Sequence, residues 1–242
     1  MAFVILARLA LVGAVAAVLT GSLPVPGSAA SLVIASQGLT PYRTCVLSAT
    51  PATTTTVVDA EVRQQTANTN YGAGTTMLVT SSGAVNRRIY VRFDLAACAP
   101  AIPASAVVRE ARLRLYPTAL PAACRTLDVF RVAATWTEGA ITWANQPFGT
   151  TLNNPGTGTR VATFNAGTPA GCQNQAAGAY VVGADVTSSV ASFVSGATSN
   201  LGWMIRDGTE ASGTLQSATF STKNAALVAQ VPQLVVTYVV VP

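Results

Sequence analysis

The chain has 242 residues, a formal net charge of +5 and no histidine. Its basic residues are scattered, so the sequence lacks the Lys/Arg cluster that marks a nucleic-acid-binding surface. The absence of histidine removes the commonest general base and, with the absence of a CxxC pair, argues against a zinc site. Composition therefore disfavours nucleic-acid binding and the commonest classes of enzyme.

The N-terminal 30 residues have the pattern of a secretory signal peptide. Arg8 precedes an apolar run over residues 9–19, and a Gly/Pro/Ser-rich stretch leads to the small residues 28–30. The run is shorter than the ~20 apolar residues of a membrane span. We expect cleavage after Ala30, or alternatively after Ala35, and hence a secreted protein, extracellular or cell-surface associated, without membrane contact. All but one of the 14 basic residues are arginine, which indicates a GC-rich bacterial source.

Residues 31–56 are expected to form a leader and a Thr-rich linker. This interpretation rests on the polar, low-complexity stretch TPATTTT at residues 50–56. The remaining residues, 57–241, have the length of a single β-sandwich domain. We therefore expect one folded domain that begins near residue 57.

Four cysteines lie in the exported part of the chain: Cys45, Cys98, Cys124 and Cys172. An even number of cysteines in an oxidising compartment predicts two disulfides, with three possible connectivities. A strand predicted between Cys98 and Cys124 carries the chain to the opposite edge of the sheet. Pairing of these two cysteines is therefore mildly disfavoured, and the connectivity stays open.

Several short segments alternate apolar and polar residues, as strands with one buried face do. The clearest are residues 88–95 and residues 109–116. The residues expected to face the core are Ile89, Val91, Phe93 and Leu95 in the first segment and Ala111, Leu113 and Leu115 in the second. Because turn residues separate many such segments, the pattern favours an all-β fold with two antiparallel sheets.

One segment has helical instead of strand periodicity. From Asp185 onward, apolar residues recur at helical spacing; they are Val186, Val190, Phe193 and Val194. Asp185 or Thr187 is suited to cap the start of a helix, and Gly196 stands where a glycine stop belongs. We predict one short helix of about two to three turns that covers one end of the sandwich.

The order of the sequence motifs resembles the DNRLRE-domain family of secreted bacterial and archaeal proteins. The motifs are NTNYG, RFDL, ARLRLY, VFRV, WTEGAITWANQP, the DVT…FVSG helix, GWMIRD and FSTKN…PQLVVTY, and they span about residues 57–240. The resemblance implies a jelly-roll-like β-sandwich without enzymatic activity. Some members of the family are described as carbohydrate-binding modules, with acidic polysaccharides such as alginate among their ligands. Others belong to surface or secreted proteins with no known ligand.

The polar faces of two predicted strands form the candidate ligand-binding surface. If these strands are neighbours, their outward side chains make one Arg/Tyr face, which consists of Arg88, Tyr90, Arg92, Arg112, Arg114 and Tyr116. A guanidinium forms paired hydrogen bonds with a carboxylate, which uronic-acid polymers carry on every sugar. The alternative is that these residues only cover the sheet, or pair with Glu110 or Asp94.

The tryptophans and acidic residues are interpreted as structural. Trp136 and Trp143 could stack on sugar rings, but we expect them, like Trp203, to pack in the core. No spacing singles out a catalytic pair among the nine acidic residues, and Glu138 is expected in a turn or hydrogen-bond network. Residues 207–210 could offer oxygen ligands to calcium, but a surface turn is favoured. No catalytic residue, metal or cofactor is predicted.

The sequence therefore predicts a secreted, non-catalytic β-sandwich that binds an acidic polysaccharide or a cell-envelope glycan. The alternative is a structural or adhesive extracellular protein whose partner is another protein. Salt-sensitive retention on an anionic polysaccharide favours the first hypothesis. Self-association or co-purification with envelope proteins favours the second.

Overall fold

A computed structural model describes residues 41–50, 55–154, 158–181 and 184–240. Residues 39–242 form one compact unit. The expected signal peptide, residues 1–30, lies outside the described residues. Within the described ranges, no helix has the length and apolar character needed to cross a membrane.

The described residues form strands and one α-helix in the following chain order. The elements are β1 (Arg43–Ser48), β2 (Val57–Arg63), β3 (Thr76–Ser81), β4 (Arg87–Phe93), β5 (Ala106–Arg114), β6 (Pro117–Ala119), β7 (Arg125–Arg131), β8 (Thr159–Ala166), β9 (Ala184–Asp185), α1 (Thr187–Val194), β10 (Trp203–Asp207), β11 (Gln216–Ser221) and β12 (Gln233–Val240). The expected all-β antiparallel sandwich with one short helix is confirmed.

The strands make two sheets that enclose the main core. The smaller sheet has the order β1-β12-β5-β9, and the larger has the order β6-β11-β3-β4-β10-β7-β8, with β2 paired to β4. Six of the seven residues expected to face the core are buried there: Ile89, Val91, Phe93, Ala111, Leu113 and Leu115. Leu95 follows β4 and is only partly buried at the margin of this core.

The expected linker over residues 31–56 contains a strand of the domain. β1 pairs along its whole length with β12, and Leu47 within it is 2% exposed. Cys45 in β1 is joined to Cys98 by a disulfide. The domain therefore begins before Val57. The sequence interpretation missed this strand because the Thr-rich stretch separates it from the other motifs.

A second disulfide joins Cys124 to Cys172. The prediction of two disulfides is therefore confirmed, and the disfavoured pairing of Cys98 with Cys124 does not occur. Each bond closes a loop of about 50 residues, with sequence separations of 53 and 48. Both disulfides therefore constrain parts of the chain that are far apart in sequence.

The outer face of the larger sheet is covered by residues 132–154, which follow β7 and which we term the covering segment. Its apolar side chains pack on that face in a second core, which contains Tyr90, Phe130, Trp136, Ile141, Trp143, Phe148 and Met204. Trp136 is 6% exposed and Trp143 is 3% exposed, while Trp203 lies in the main core at 1%. The expected core packing of all three tryptophans is confirmed. β4 is consequently buried on both faces, although its alternating sequence suggested only one buried face.

The NTNYG motif holds the covering segment in place. The side-chain amide of Asn70 donates hydrogen bonds to the carbonyl oxygens of Glu138, at 2.7 Å, and Ile141, at 2.8 Å. Gly72 lies directly against the same turn, since a Cβ atom built on it would be 2.4 Å from the carbonyl oxygen of Glu138. Glycine is required here because two backbones approach closely.

The predicted helix is present as α1. Asp185 accepts a hydrogen bond from the backbone N–H of Thr187 at 3.0 Å, and Gly196 has a φ of +74° beyond the last turn. Val190 and Phe193 are buried in the main core, where the ring centroid of Phe193 lies 5.6 Å from that of Trp203. The apolar periodicity therefore identified the face that packs against the sheets.

Candidate functional site

The two strands of the predicted Arg/Tyr face lie in different sheets. β4 pairs with β2 and β10 in the larger sheet, whereas β5 pairs with β12 and β9 in the smaller one. Their outward faces therefore lie on opposite sides of the sandwich. The six residues separate into two sets, Arg88, Tyr90 and Arg92 on one side and Arg112, Arg114 and Tyr116 on the other. The condition that the strands be neighbours is not met.

Arg88 is fully buried and its hydrogen-bonding groups are used inside the fold. Its Nε and Nη2 atoms donate to the two carboxylate oxygens of Glu210 at 2.7 and 2.9 Å. Nη1 donates to the carbonyl oxygen of Gly149 and Nη2 to that of Thr151, both at 2.9 Å. The guanidinium carbon lies 4.6 Å from the ring centroid of Trp143. Arg88 therefore stabilises the covering segment and is not available to a ligand.

The acidic residues considered for calcium are also bound by arginine side chains. Glu210 also accepts from Arg206 Nη1 at 3.1 Å, and Asp207 accepts from Arg125 Nε at 2.9 Å. Both acidic residues are 2% exposed. Residues 208–209 form the expected bend with Thr209 exposed, but arginines hold the two flanking carboxylates inside the fold.

Tyr90 is buried, whereas Arg92 reaches the rim of the covering segment. The Tyr90 hydroxyl donates to Gln146 Oε1 at 3.0 Å, and its ring centroid lies 5.5 Å from that of Trp136. Arg92 is half-buried, with its guanidinium carbon 5.7 Å from the same tryptophan ring. Among the described residues, Arg92 has no ion-pair partner. Of the three residues on this side, only Arg92 is accessible.

The other three residues remain accessible on the outer face of the smaller sheet. There Arg114, Tyr180 and Tyr116 form what we term the Arg114–Tyr180–Tyr116 ladder, and all three are half-buried. The guanidinium carbon of Arg114 lies 4.6 Å from the Tyr180 ring centroid, which lies 5.4 Å from that of Tyr116 in an edge-on arrangement. The Tyr116 hydroxyl donates to Gly178 O at 2.9 Å, and that of Tyr180 to Val231 O at 2.9 Å. These bonds fix both rings.

The ladder includes a residue that sequence reasoning missed. Tyr180 lies between β8 and β9, in a stretch without strand or helix periodicity, so no sequence signal marked it. Arg114 pairs across the sheet with Gln233, which in turn pairs with Ser48 in β1. These neighbours are uncharged, and within the described chain Arg114 has no carboxylate partner. Its charge is therefore available to solvent or to a ligand.

Arg112 lies on the same face as the ladder, but its charge is matched by acidic neighbours. Its Nε donates to Glu110 at 2.7 Å, and its Nη2 lies 3.5 Å from a carboxylate oxygen of Asp185. The expected alternative of pairing with Glu110 therefore applies to Arg112. Arg112 is consequently less available to a ligand than Arg114, which has no carboxylate partner within the described residues.

Glu138 belongs to a hydrogen-bond network that joins three of the sequence motifs. Its Oε2 accepts from Lys223 Nζ at 2.6 Å, and its Oε1 accepts from the backbone N–H of Asp59 at 3.3 Å. Asp59 Oδ2 in turn accepts from the backbone N–H of Lys223 at 2.7 Å. Burial raises the pKa of Asp59 to about 7; the hydrogen bond from Lys223 opposes this shift and the charge of Glu138 adds to it. The network interpretation of Glu138 is confirmed.

Asp59 should make the stability of the fold fall as the pH rises from about 4 to about 7. In this window the folded state holds a proton that the unfolded chain has released, because the folded pKa is about 7 and the ordinary value is 3.8. We expect a loss of roughly 2 kcal/mol between about pH 5 and about pH 6.5. Denaturant unfolding of the wild type and of Asp59→Asn at both pH values measures the effect. The free energy of unfolding of the variant should not fall between these two pH values.

Asp185→Asn is the matched control for this prediction. At Asp185, hydrogen bonds from Thr187 and the charge of Arg112 outweigh desolvation, so its pKa lies below the ordinary value of 3.8. Stability linked to Asp185 is present above that value and is lost only as the pH falls further. If the free energy of unfolding falls equally with pH in the wild type and in Asp59→Asn, Asp59 does not titrate between about pH 5 and about pH 6.5.

Comparison with known families identifies the class of the domain. The family model of carbohydrate-binding module family 96 (CBM96) matches residues 50–238, which is most of the chain. No curated protein matches the chain. The match supports a carbohydrate-binding-module-like domain, as the motif resemblance implied, but does not confirm the DNRLRE name. The chain, with its β-sandwich and the paired-tryptophan segment that covers its larger sheet, belongs to carbohydrate-binding module family 96.

Proposed function

We propose that the protein is a secreted, non-catalytic module that binds an acidic polysaccharide through the Arg114–Tyr180–Tyr116 ladder. Membership of CBM96 supports a glycan ligand. The observation that carries the choice of site is Arg114, which is accessible, fixed on Tyr180 and without a carboxylate partner in the described chain. Two disulfides are compatible with an extracellular location.

The surface around the ladder suits an extended polymer. Arg112 and Arg114 alternate along β5 and Tyr116 follows its end, so successive side chains on this face are roughly 7 Å apart. The neighbouring strands contribute short or uncharged side chains to the same face, among them Val46 and Val235 opposite Arg112. A polymer lying along β5 would therefore meet a cation and two aromatic rings in sequence.

Charge and ring chemistry favour an acidic ligand on this face. A guanidinium binds a carboxylate through two parallel hydrogen bonds, and Arg114 is already oriented by its contact with Tyr180. The Tyr116 ring, held edge-on to Tyr180, offers a further apolar surface to a sugar. Because both charges would meet near water, binding should weaken as salt is added.

The buried carboxylates support a module without catalytic activity. Asp128, Asp207 and Glu210 are all engaged by arginine side chains inside the fold. Glu61 is likewise paired with Arg63. A glycosidase needs two carboxylates that face each other across an open cleft, whereas these groups are already used to hold strands and loops together.

Replacing Arg114 with alanine should weaken binding to alginate by at least about tenfold, because a charge-assisted hydrogen-bonded contact is worth about 1.5–3 kcal/mol. Affinity electrophoresis in gels containing alginate, pectin or hyaluronan, with cellulose and xylan as neutral polymers, measures the retardation. Arg160→Ala is the matched control. It removes the same charge from β8 in the other sheet, where the Arg160 side chain is 61% exposed.

The outcomes distinguish an error in the proposed site from an error in the proposed ligand class. If Arg114→Ala and the wild type are retarded equally by an acidic polymer, the ladder is not the site. If no acidic polymer retards the wild type, the proposed ligand class is wrong. Self-association in that case would favour the structural or adhesive alternative.

A further inference from the structure

A polar cleft lies at the end of β4, on the opposite side of the sandwich from the ladder. It has a volume of about 360 Å³ and is lined by Thr55, Val58, Arg92, Phe93, Asp94 and Asn200. Small-molecule sites begin at about 300 Å³, so the cleft can hold one sugar ring but not a long polymer segment. We term it the Arg92 cleft.

Asn200 lines this cleft and carries a hydrogen-bond acceptor that the described residues do not use. Its Nδ2 donates to the carbonyl oxygen of Phe93 at 2.7 Å, which fixes the orientation of the amide. Its Oδ1 is buried and has no hydrogen-bond partner within the described part of the chain. A buried acceptor without a donor is unfavourable, so a ligand hydroxyl that reaches it and donates to it would be stabilised.

Arg92 contributes donors that the described protein does not use. It has no hydrogen-bond acceptor or ion-pair partner among the described residues, and its guanidinium is positioned by Trp136, at 5.7 Å from the ring centroid. Trp136 in turn donates from Nε1 to the carbonyl oxygen of Leu201 at 2.8 Å. Since Leu201 follows Asn200, one buried tryptophan positions both polar groups of the cleft.

The cleft has a fixed framework. Gly202 lies against β4 so closely that a Cβ atom on it would be 2.2 Å from the carbonyl oxygen of Val91. Its φ of +75° is also a conformation that favours glycine. Val58 stands directly opposite Arg92 in the strand pairing and is half-buried. The polar groups therefore face a small apolar surface that can contact the C–H groups of a sugar ring.

The charges in the cleft favour a neutral ligand. Arg92 is accompanied by Asp94, one of whose carboxylate oxygens accepts the backbone N–H of Ala96 at 3.0 Å. Asp94 and Asn200 both offer acceptors, which an ionised uronate carboxylate cannot satisfy because it has no proton to donate. Vicinal hydroxyls both donate and accept, so they match Arg92, Asp94 and Asn200 together.

We infer that the Arg92 cleft is a second binding site, for the hydroxyl groups of one uncharged sugar residue. This residue is a chain end or a side branch, because the cleft holds a single ring. The site differs from the ladder in its position, in its charge balance and in the ligand class that it takes.

Side-chain NMR of the 15N-labelled full-length protein tests the inference. Methyl glycosides of glucose, galactose and mannose are added separately, with glucuronate as the charged counterpart. We expect saturable shifts of the Asn200 Nδ2 and Arg92 Nε resonances with at least one neutral glycoside, at concentrations on the order of millimolar. Glucuronate should bind more weakly than the matched glucoside.

Three variants locate the site. Arg92→Gln removes the charged donors, and Thr55→Trp blocks the rim with little effect on folding because Thr55 is exposed. Each should weaken glycoside binding by at least about tenfold. Arg114→Ala should leave the glycoside shifts unchanged while it reduces retardation by alginate, so failure of one site is distinguishable from failure of the other.

The inference is overturned by any of three results. The first is the absence of shifts with every neutral glycoside at about 50 mM, a concentration more than tenfold above a millimolar dissociation constant. The second is that glucuronate binds as tightly as the glucoside. The third is that the shifts persist in both Arg92→Gln and Thr55→Trp.

Discussion

Replacing Arg88 with alanine should destabilise the fold by about 3–5 kcal/mol, because it leaves the buried Glu210 carboxylate without its main partner. Arg88 donates five hydrogen bonds to side chains and carbonyl groups of the covering segment and the network. Its loss also removes the contact with Trp143. Denaturant unfolding, followed by tryptophan fluorescence, measures the change in free energy.

The control for Arg88 is a second charge deletion, at an exposed arginine. Arg160→Ala breaks a 3.4 Å pair with the buried Asp128, but the Arg160 side chain is 61% exposed and Asp128 keeps Arg206 as a partner at 3.6 Å. An exposed partner contributes about 0–1 kcal/mol, so this variant should be nearly as stable as the wild type. In the double variant Arg88→Met with Glu210→Gln, part of the lost stability should return, because no uncompensated charge remains buried. A loss below about 1 kcal/mol in Arg88→Ala would contradict the structural role.

Removing the disulfide between Cys45 and Cys98, by replacing both with serine, should lower the free energy of unfolding by about 4 kcal/mol. The closed loop of 53 residues constrains the unfolded chain. The disulfide also fastens β1, an edge strand of the smaller sheet that pairs only with β12 within the described residues. We therefore expect faster amide hydrogen exchange along β1 than in the wild type.

The second disulfide provides the matched comparison. The bond between Cys124 and Cys172 closes a loop of similar length, 48 residues, so its removal should reduce global stability by a similar amount. It should not selectively increase exchange in β1. If both double-serine variants change β1 exchange equally, local fastening by the first disulfide is excluded. If neither variant loses more than about 1 kcal/mol, the loops contribute far less than their lengths indicate.

The local patterns of the sequence were sufficient for the fold class. Alternation over residues 88–95 and 109–116 identified inward residues, and helical spacing from Asp185 identified α1. These predictions succeeded because burial of one face imposes a period on each element, whatever its neighbours are. The even cysteine count predicted two disulfides for a similar reason, whereas the choice of partners depends on distances that only the folded chain defines.

The candidate site was less predictable. Arg88 and Arg114 occupy equivalent outward positions in similar alternating segments, yet one is buried with Glu210 and the other lies accessible on Tyr180. The difference comes from the paired-tryptophan segment, which covers β4 and not β5. Tyr180 and Asn200 lie in irregular segments between strands or helices. Sequence periodicity therefore could not indicate that they belong to the two proposed sites.

By itself, the sequence determined that the domain is built of strands with one short helix, which side chains of β4 and β5 face the main core, and that the cysteines pair. It did so because these properties depend on local spacing and on burial. Only the tertiary structure decided that β4 and β5 belong to opposite sheets, that Arg88 is buried and Arg114 is not, and that Arg92 and Asn200 share a cleft. Strand order and loop coverage depend on contacts between residues far apart in the chain. Alternation within one strand does not indicate which strand or loop lies beside it.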